Sequence, residues 1–205
     1  MIFSVHVTTE PGRFSGSEGS CTRNRSLDEI GRKDPEGQLV KSPDLVSIRL
    51  HNGNIGTAAV LKQEGKPDRT IRYHLGPAEL HMVYEVELVS ILMGLHLLKT
   101  EHKGKVKCAL SVDNQAALKV FSSDMTKLGQ HITVKLLQAV KQLKAHKNNS
   151  HFKLTFRWSA GHVGIKGNEE ANGEVKRAAE GESSDPRDLP PYLHKPLGHS
   201  ISALR

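Results

Sequence analysis

The chain has 205 residues, a formal net charge of +7 and few aromatic residues. That length suits one ordinary domain with additional segments and is short for two. No apolar run reaches the roughly 18 residues of a membrane span, so no membrane association is expected. The two cysteines, Cys21 and Cys108, are far apart and make a disulfide framework unlooked-for. With no secretory leader pattern at the start, the expectation is a reducing compartment, nuclear or cytoplasmic, and a monomer.

Residues 1–42 contain six Lys/Arg and six Asp/Glu, so the whole basic excess lies beyond them. They are rich in Gly, Ser and charge, with only a short apolar alternation from Ile2 to Val7, and are expected to be irregular or disordered. The texture changes at 43, where a domain spanning 43–182 is expected to begin. Leu45–Leu50 reads as a strand, Asn52-Gly53 as a two-residue hairpin turn, and Ile55–Leu61 as the returning strand. A third strand at Arg69–Leu75, after the turn around Gly65-Lys66-Pro67, completes an antiparallel meander. Helical periodicity follows from Val83 to Lys99, where Leu88, Ile91, Leu92, Leu95 and Leu98 form a wide apolar face.

The apolar run Lys105–Val112 reads as a buried strand that stops at the polar pair Asp113-Asn114 and feeds a short helix, Gln115–Phe121. A further helix is expected over His131–Lys147, with Ile132, Leu136, Val140 and Leu143 on one stripe and Lys135 and Lys141 turned away. His151–Trp158 alternates as a strand. A glycine-rich loop, Gly161–Gly167, precedes a last helix near Asn168–Glu180, and the Pro-rich tail 183–205 is expected to be irregular. The result is a mixed α/β fold: a five-stranded mixed sheet with a three-strand antiparallel meander and flanking helices.

Charge distribution narrows the function. Lys127–Arg157 carries seven basic residues and no acidic one. A stretch of one sign suits a polyanion, because every phosphate it neutralises releases counterions.

Three segments carry chemistry. They are Val83-Tyr84-Glu85-Val86-Glu87-Leu88 on a helix, Leu110-Ser111-Val112-Asp113-Asn114-Gln115 at a strand end, and Trp158-Ser159-Ala160-Gly161-His162-Val163-Gly164-Ile165-Lys166-Gly167-Asn168-Glu169 across a loop. In this order and on these elements they resemble type 1 ribonuclease H, most closely the domains of fungal retrotransposon (reverse-transcriptase) polyproteins. Gly56-Thr57-Ala58-Ala59-Val60-Leu61 and Ser200-Ile201-Ser202-Ala203-Leu204 resemble the same group. The resemblance implies a ribonuclease H-like fold and Mg²⁺-dependent endonucleolytic hydrolysis of the RNA strand of an RNA–DNA hybrid. Two ions are held in that family by four carboxylates: one lowers the pKa of the attacking water, the other stabilises the leaving oxygen.

Matched residue by residue, Glu87 takes the place of the helix carboxylate and Asp113 that of the strand-end carboxylate, both as metal ligands. The helical pattern alone leaves Glu85 open as an alternative to Glu87, and an N-cap role is open for Asp113. Asn114 and Gln115 match positions that touch the hybrid from its minor groove, where amides can read base edges and the 2′-OH. His162 matches a mobile-loop histidine that moves protons, a role suited to imidazole.

The pattern breaks in two places. The family's last carboxylate falls at Asn172, whose amide oxygen is a weak ligand without charge. The first carboxylate, normally in a Thr/Ser-Asp-Gly-Ser motif ahead of the hairpin, has no counterpart in Leu45–His51. Asp44 precedes the apolar strand instead of following it, and Ser47 fits the spacing to Gly56 better. The expectation is therefore a ribonuclease H-type nucleic-acid-binding domain with impaired hydrolysis. The alternative is a catalytically inactive relic that serves as a nucleic-acid-binding or protein-interaction module.

Overall fold

The structure, a computed structural model, describes residues 6–8, 44–63, 66–101, 107–112, 114–121, 129–147, 153–158 and 166–198. The strands are β1 (His6–Thr8), β2 (Asp44–His51), β3 (Asn54–Leu61), β4 (Arg69–Pro77), β5 (Lys107–Val112) and β6 (Lys153–Trp158). The helices are α1 (Val83–Thr100), α2 (Gln115–Leu118), α3 (Gln130–Lys147) and α4 (Lys166–Ala179).

The strands form one mixed sheet in the order β1-β6-β5-β2-β3-β4. β2, β3 and β4 are antiparallel neighbours, while β5 runs parallel to both β2 and β6. The β2–β3 turn is set by Asn52 and Gly53, whose φ values of 49° and 77° are the positive pair a tight hairpin turn demands.

Two expectations are corrected. The sheet has six strands instead of five, because His6–Thr8 pairs in parallel with β6, His6 against Thr155 and Thr8 against Arg157. The alternation in Ile2–Val7 is therefore partly a strand inside the segment expected to be irregular. The tail after 182 also joins the core: Leu189 and Leu193 are each only 3% exposed. Local pattern could not show this, since a segment built of two 3-10 turns, Pro186–Asp188 and Pro191–Leu193, has no period.

The sheet is covered on both faces. On β3, Ala59 and Leu61 belong to the core cluster that includes the leucines of α1, whereas Val60 clusters with Ala171 of α4. A Cβ on Gly56 would fall 2.3 Å from the Ala179 backbone nitrogen, so the glycine lets α4 lie directly on β3. α1 is buried along most of its length, Val86 through Leu95 included. The cause is that the sheet, α3 and the C-terminal segment enclose it. On α3 the stripe Ile132, Leu136, Val140 and Leu143 is buried and Lys135 and Lys141 are exposed, as the spacing predicts.

Candidate active site

β4 ends at Pro77, opposite Asn54, and a short 3-10 turn at Ala78–Leu80 leads into α1. The first turns of α1 therefore lie beside the end of β2, where His51 pairs with Asn54. Glu85 and Glu87 both sit there and both are buried, at 8% and 3% exposure. Their roles separate. Glu85 Oε2 reaches back to the Met82 backbone N–H at 3.5 Å, the acidic half of a capping box, so helix-end chemistry accounts for it. No such helix-end role holds Glu87, which is the better candidate for a site carboxylate. Val83, the first residue of α1, is exposed because it starts the helix ahead of the packed region.

At the end of β5, Asn114 Oδ1 accepts hydrogen bonds from the Ala116 and Ala117 backbone N–H groups at 2.9 and 3.3 Å. Asn114 is therefore the N-cap of α2, a role the sequence left open for Asp113. With its oxygen engaged, the amide of Asn114 has its NH₂ donors for any further contact. Gln115 is the first residue of α2; its side chain, Asp113 and His162 lie outside the described residues.

Strand register bears on Asp44 and Ser47. β2 pairs with β5 through Asp44 against Leu110 and Leu45 against Ser111. Asp44 thus stands level with the interior of β5, short of its end at Val112. Carried forward, the same register brings Ser47 one residue past Val112, the level at which β5 releases the chain. Ser47 pairs with Ala58, and Ala58 with Arg72. Arg72 in turn forms an ion pair with Glu174 of α4. A second anchor, Lys62 with Glu170, fixes α4 one turn earlier. Ala171 packs against Val60, the strand partner of Leu45, so the turn of α4 that carries the half-buried Asn172 lies between the levels of Leu45 and Ser47. Ser47 and Asn172 both carry neutral side chains.

Among the described residues, no group of three or more His, Cys, Asp or Glu could hold a metal ion. The basic surface lies to one side: α3 presents His131, Lys135 and Lys141 to solvent and has no acidic residue in its first turn.

No protein-family model matches the sequence, and no curated protein matches it. Solved structures do. The chain is similar to the LC11 ribonuclease H1, determined in complex with an RNA/DNA hybrid, with a TM-score of 0.50 and 10% identity over 67% of this chain and 95% of that one. It is also similar to ribonuclease H1 of the halophilic archaeon Halobacterium salinarum, with a TM-score of 0.47 and 13% identity over 68% of this chain and 97% of that one. A third is the N-terminal ribonuclease H domain from Mycobacterium tuberculosis, solved as a fusion with maltose-binding protein, at 0.47 and 14% over 67% and 96%. At 10% identity the likeness to the LC11 ribonuclease H1 speaks for architecture alone: the mixed sheet with α1 and α4 on its two faces is a ribonuclease H-like fold.

Proposed function

We propose that this chain is a ribonuclease H-type domain, of the kind found in fungal retrotransposon polyproteins, that binds RNA–DNA hybrids and whose hydrolytic activity is impaired. The observation that carries the reading is the ribonuclease H-like sheet with the Asn172 turn of α4 packed against β3 and Glu87 buried in the early turns of α1. A buried glutamate costs desolvation free energy, which a cation or donor at a working site offsets.

The donors present do not fit a two-ion Mg²⁺ site. Hard divalent cations need anionic oxygen to offset their dehydration, and Ser47 and Asn172 supply none of that charge. Of the four expected ligands, Glu87 and Asp113 alone are carboxylates. We therefore assign this chain grip and positioning, not a hydrolytic step. The basic residues of α3 would track phosphates, and Asn114 and Gln115 would face the minor groove.

The neutral pair also favours a second reading, a catalytically inactive relic that keeps only binding. Electrophoretic or anisotropy titration with an RNA–DNA hybrid, a DNA duplex and an RNA duplex tests the proposal. Salt-sensitive binding that prefers the hybrid supports it; no binding to any of the three refutes it.

A further inference from the structure

The C-terminal segment Ser183–Leu197 does two separate jobs in the fold. First, it closes the open edge of the sheet. The Ser184 backbone N–H donates to the Arg72 carbonyl at 2.9 Å, and Ser184 Oγ accepts from the Arg72 N–H at 2.9 Å. Ser183 Oγ accepts from the His74 N–H at 2.9 Å. β4 is an edge strand, and these bonds occupy the groups through which another chain would pair with it. Second, it lies along α1, inserting Leu189 and Leu193 into the core. The Leu197 N–H donates to the Tyr73 hydroxyl, and Tyr192 faces Glu85 and Tyr73.

The helix residues concerned, Glu85 and His96, share a stripe with Val89 and Leu92 at spacings of i, i+4, i+7 and i+11. His96, half-buried, donates a ring hydrogen bond to the Asp188 backbone carbonyl of the strap. Within the strap, His194 Nε2 lies 3.2 Å from the Leu189 carbonyl, which holds the turn Pro191–Leu193 together.

We propose that this segment is a pH-responsive latch, clipping β4 to α1 at neutral pH and loosening on acidification as His96 gains charge among cations. The groups that face His96 are of one sign: Lys99 on its own helix, Arg69 from β4 and His194 from the strap. The strap's Asp188 contributes its carbonyl. Glu101, the nearby carboxylate, is engaged by Lys66 at 2.7 Å and Arg69 at 3.7 Å. From α3 the neighbour is the neutral Gln142, which accepts from Lys99 at 3.1 Å.

Burial, then Lys99, Arg69 and His194, hold the His96 pKa below its ordinary 6.5, against a smaller opposing effect of the Asp188 carbonyl. The sign follows. Unlatched, His96 binds a proton near its ordinary value; latched, it binds one only at lower pH. Latch stability is therefore complete above 6.5 and is lost as pH falls from there through the lowered value. Because α1 carries Glu87, the latch also governs how firmly that carboxylate is held to the sheet.

Amide hydrogen exchange reads the latch directly. Protection of the Arg72 and His74 amides, corrected for intrinsic exchange, is compared at about pH 7.5 and about pH 5.5 with that of Ala58 and Val60 in the sheet interior. In the wild type the two edge amides should lose roughly threefold to tenfold more protection than the interior ones. In His96→Gln the excess loss should vanish. If that variant does not fold, His194→Gln, altered at an exposed position, should shrink the excess. An excess unchanged in the variants, no loss in the wild type, or equal loss at edge and interior amides would overturn the proposal.

Discussion

Replacing Gly56 with alanine should unseat α4 from the sheet. The new Cβ would lie 2.3 Å from the Ala179 nitrogen, 2.6 Å from the Ala178 carbonyl carbon and 2.8 Å from the Ala178 Cβ. Two of these atoms are backbone, so no side-chain rotation relieves the clash, and the helix must move outward by the better part of an ångström. Overpacking of this kind costs about 3 kcal/mol. For a chain of this size that corresponds to a fall in Tm of roughly 6–12 °C. Gly173→Ala is the matched control. It lies exposed on the same helix with nothing within 4 Å of its added Cβ, so it should stabilise the protein by about 0.5–1 kcal/mol. Thermal melts followed by circular dichroism, backed by urea titration, measure both. A Gly56→Ala protein as stable as the wild type would refute the close helix–strand contact.

Leu193→Ala should cost about 2–5 kcal/mol in denaturant titrations, because the side chain sits in the core; a cost within error of zero would return the tail to the surface. Lys141→Glu with Lys144→Glu should weaken hybrid binding and reduce the slope of log K against log salt by about 1–2, as expected when phosphate contacts are lost. Equal binding by wild type and the double variant would remove α3 from the interface.

Much of the fold was legible because strong local signals agreed with the tertiary arrangement. Asn52-Gly53 marks the hairpin, the period-two runs on either side mark β2 and β3, and the leucines of α1 mark the central helix. What escaped was non-local. The pairing of His6–Thr8 with β6 joins residues about 150 positions apart, and three residues are too few for a period to show. Leu189 and Leu193 are separated by prolines and follow no repeat, yet they enter the core because the groove beside α1 is there to receive them. At the site, the helical pattern proposed Glu87 and left Glu85 open beside it; the capping bond to Met82 gives Glu85 a helix-end role. Spacing raised Ser47 against Asp44; the strand pairing, a tertiary property, sets Asp44 opposite Leu110 and leaves Ser47 beyond the β2–β5 ladder. Asn114 was expected at the hybrid, and its use as a helix cap constrains how it could touch one.

The most direct measurement is cleavage of a labelled RNA–DNA hybrid in Mg²⁺ by the unmodified chain and by the double variant Ser47→Asp, Asn172→Asp. Two carboxylates in place of four should leave metal occupancy too weak and the water too little activated for turnover, so the unmodified chain should stay near background. Asn172→Asp alone should not change that. Restoring both positions should produce cleavage that disappears when Asp113→Asn is added. Robust hydrolysis by the unmodified chain, abolished by Asp44→Asn, would contradict the account by showing that Asp44 supplies the first ligand after all.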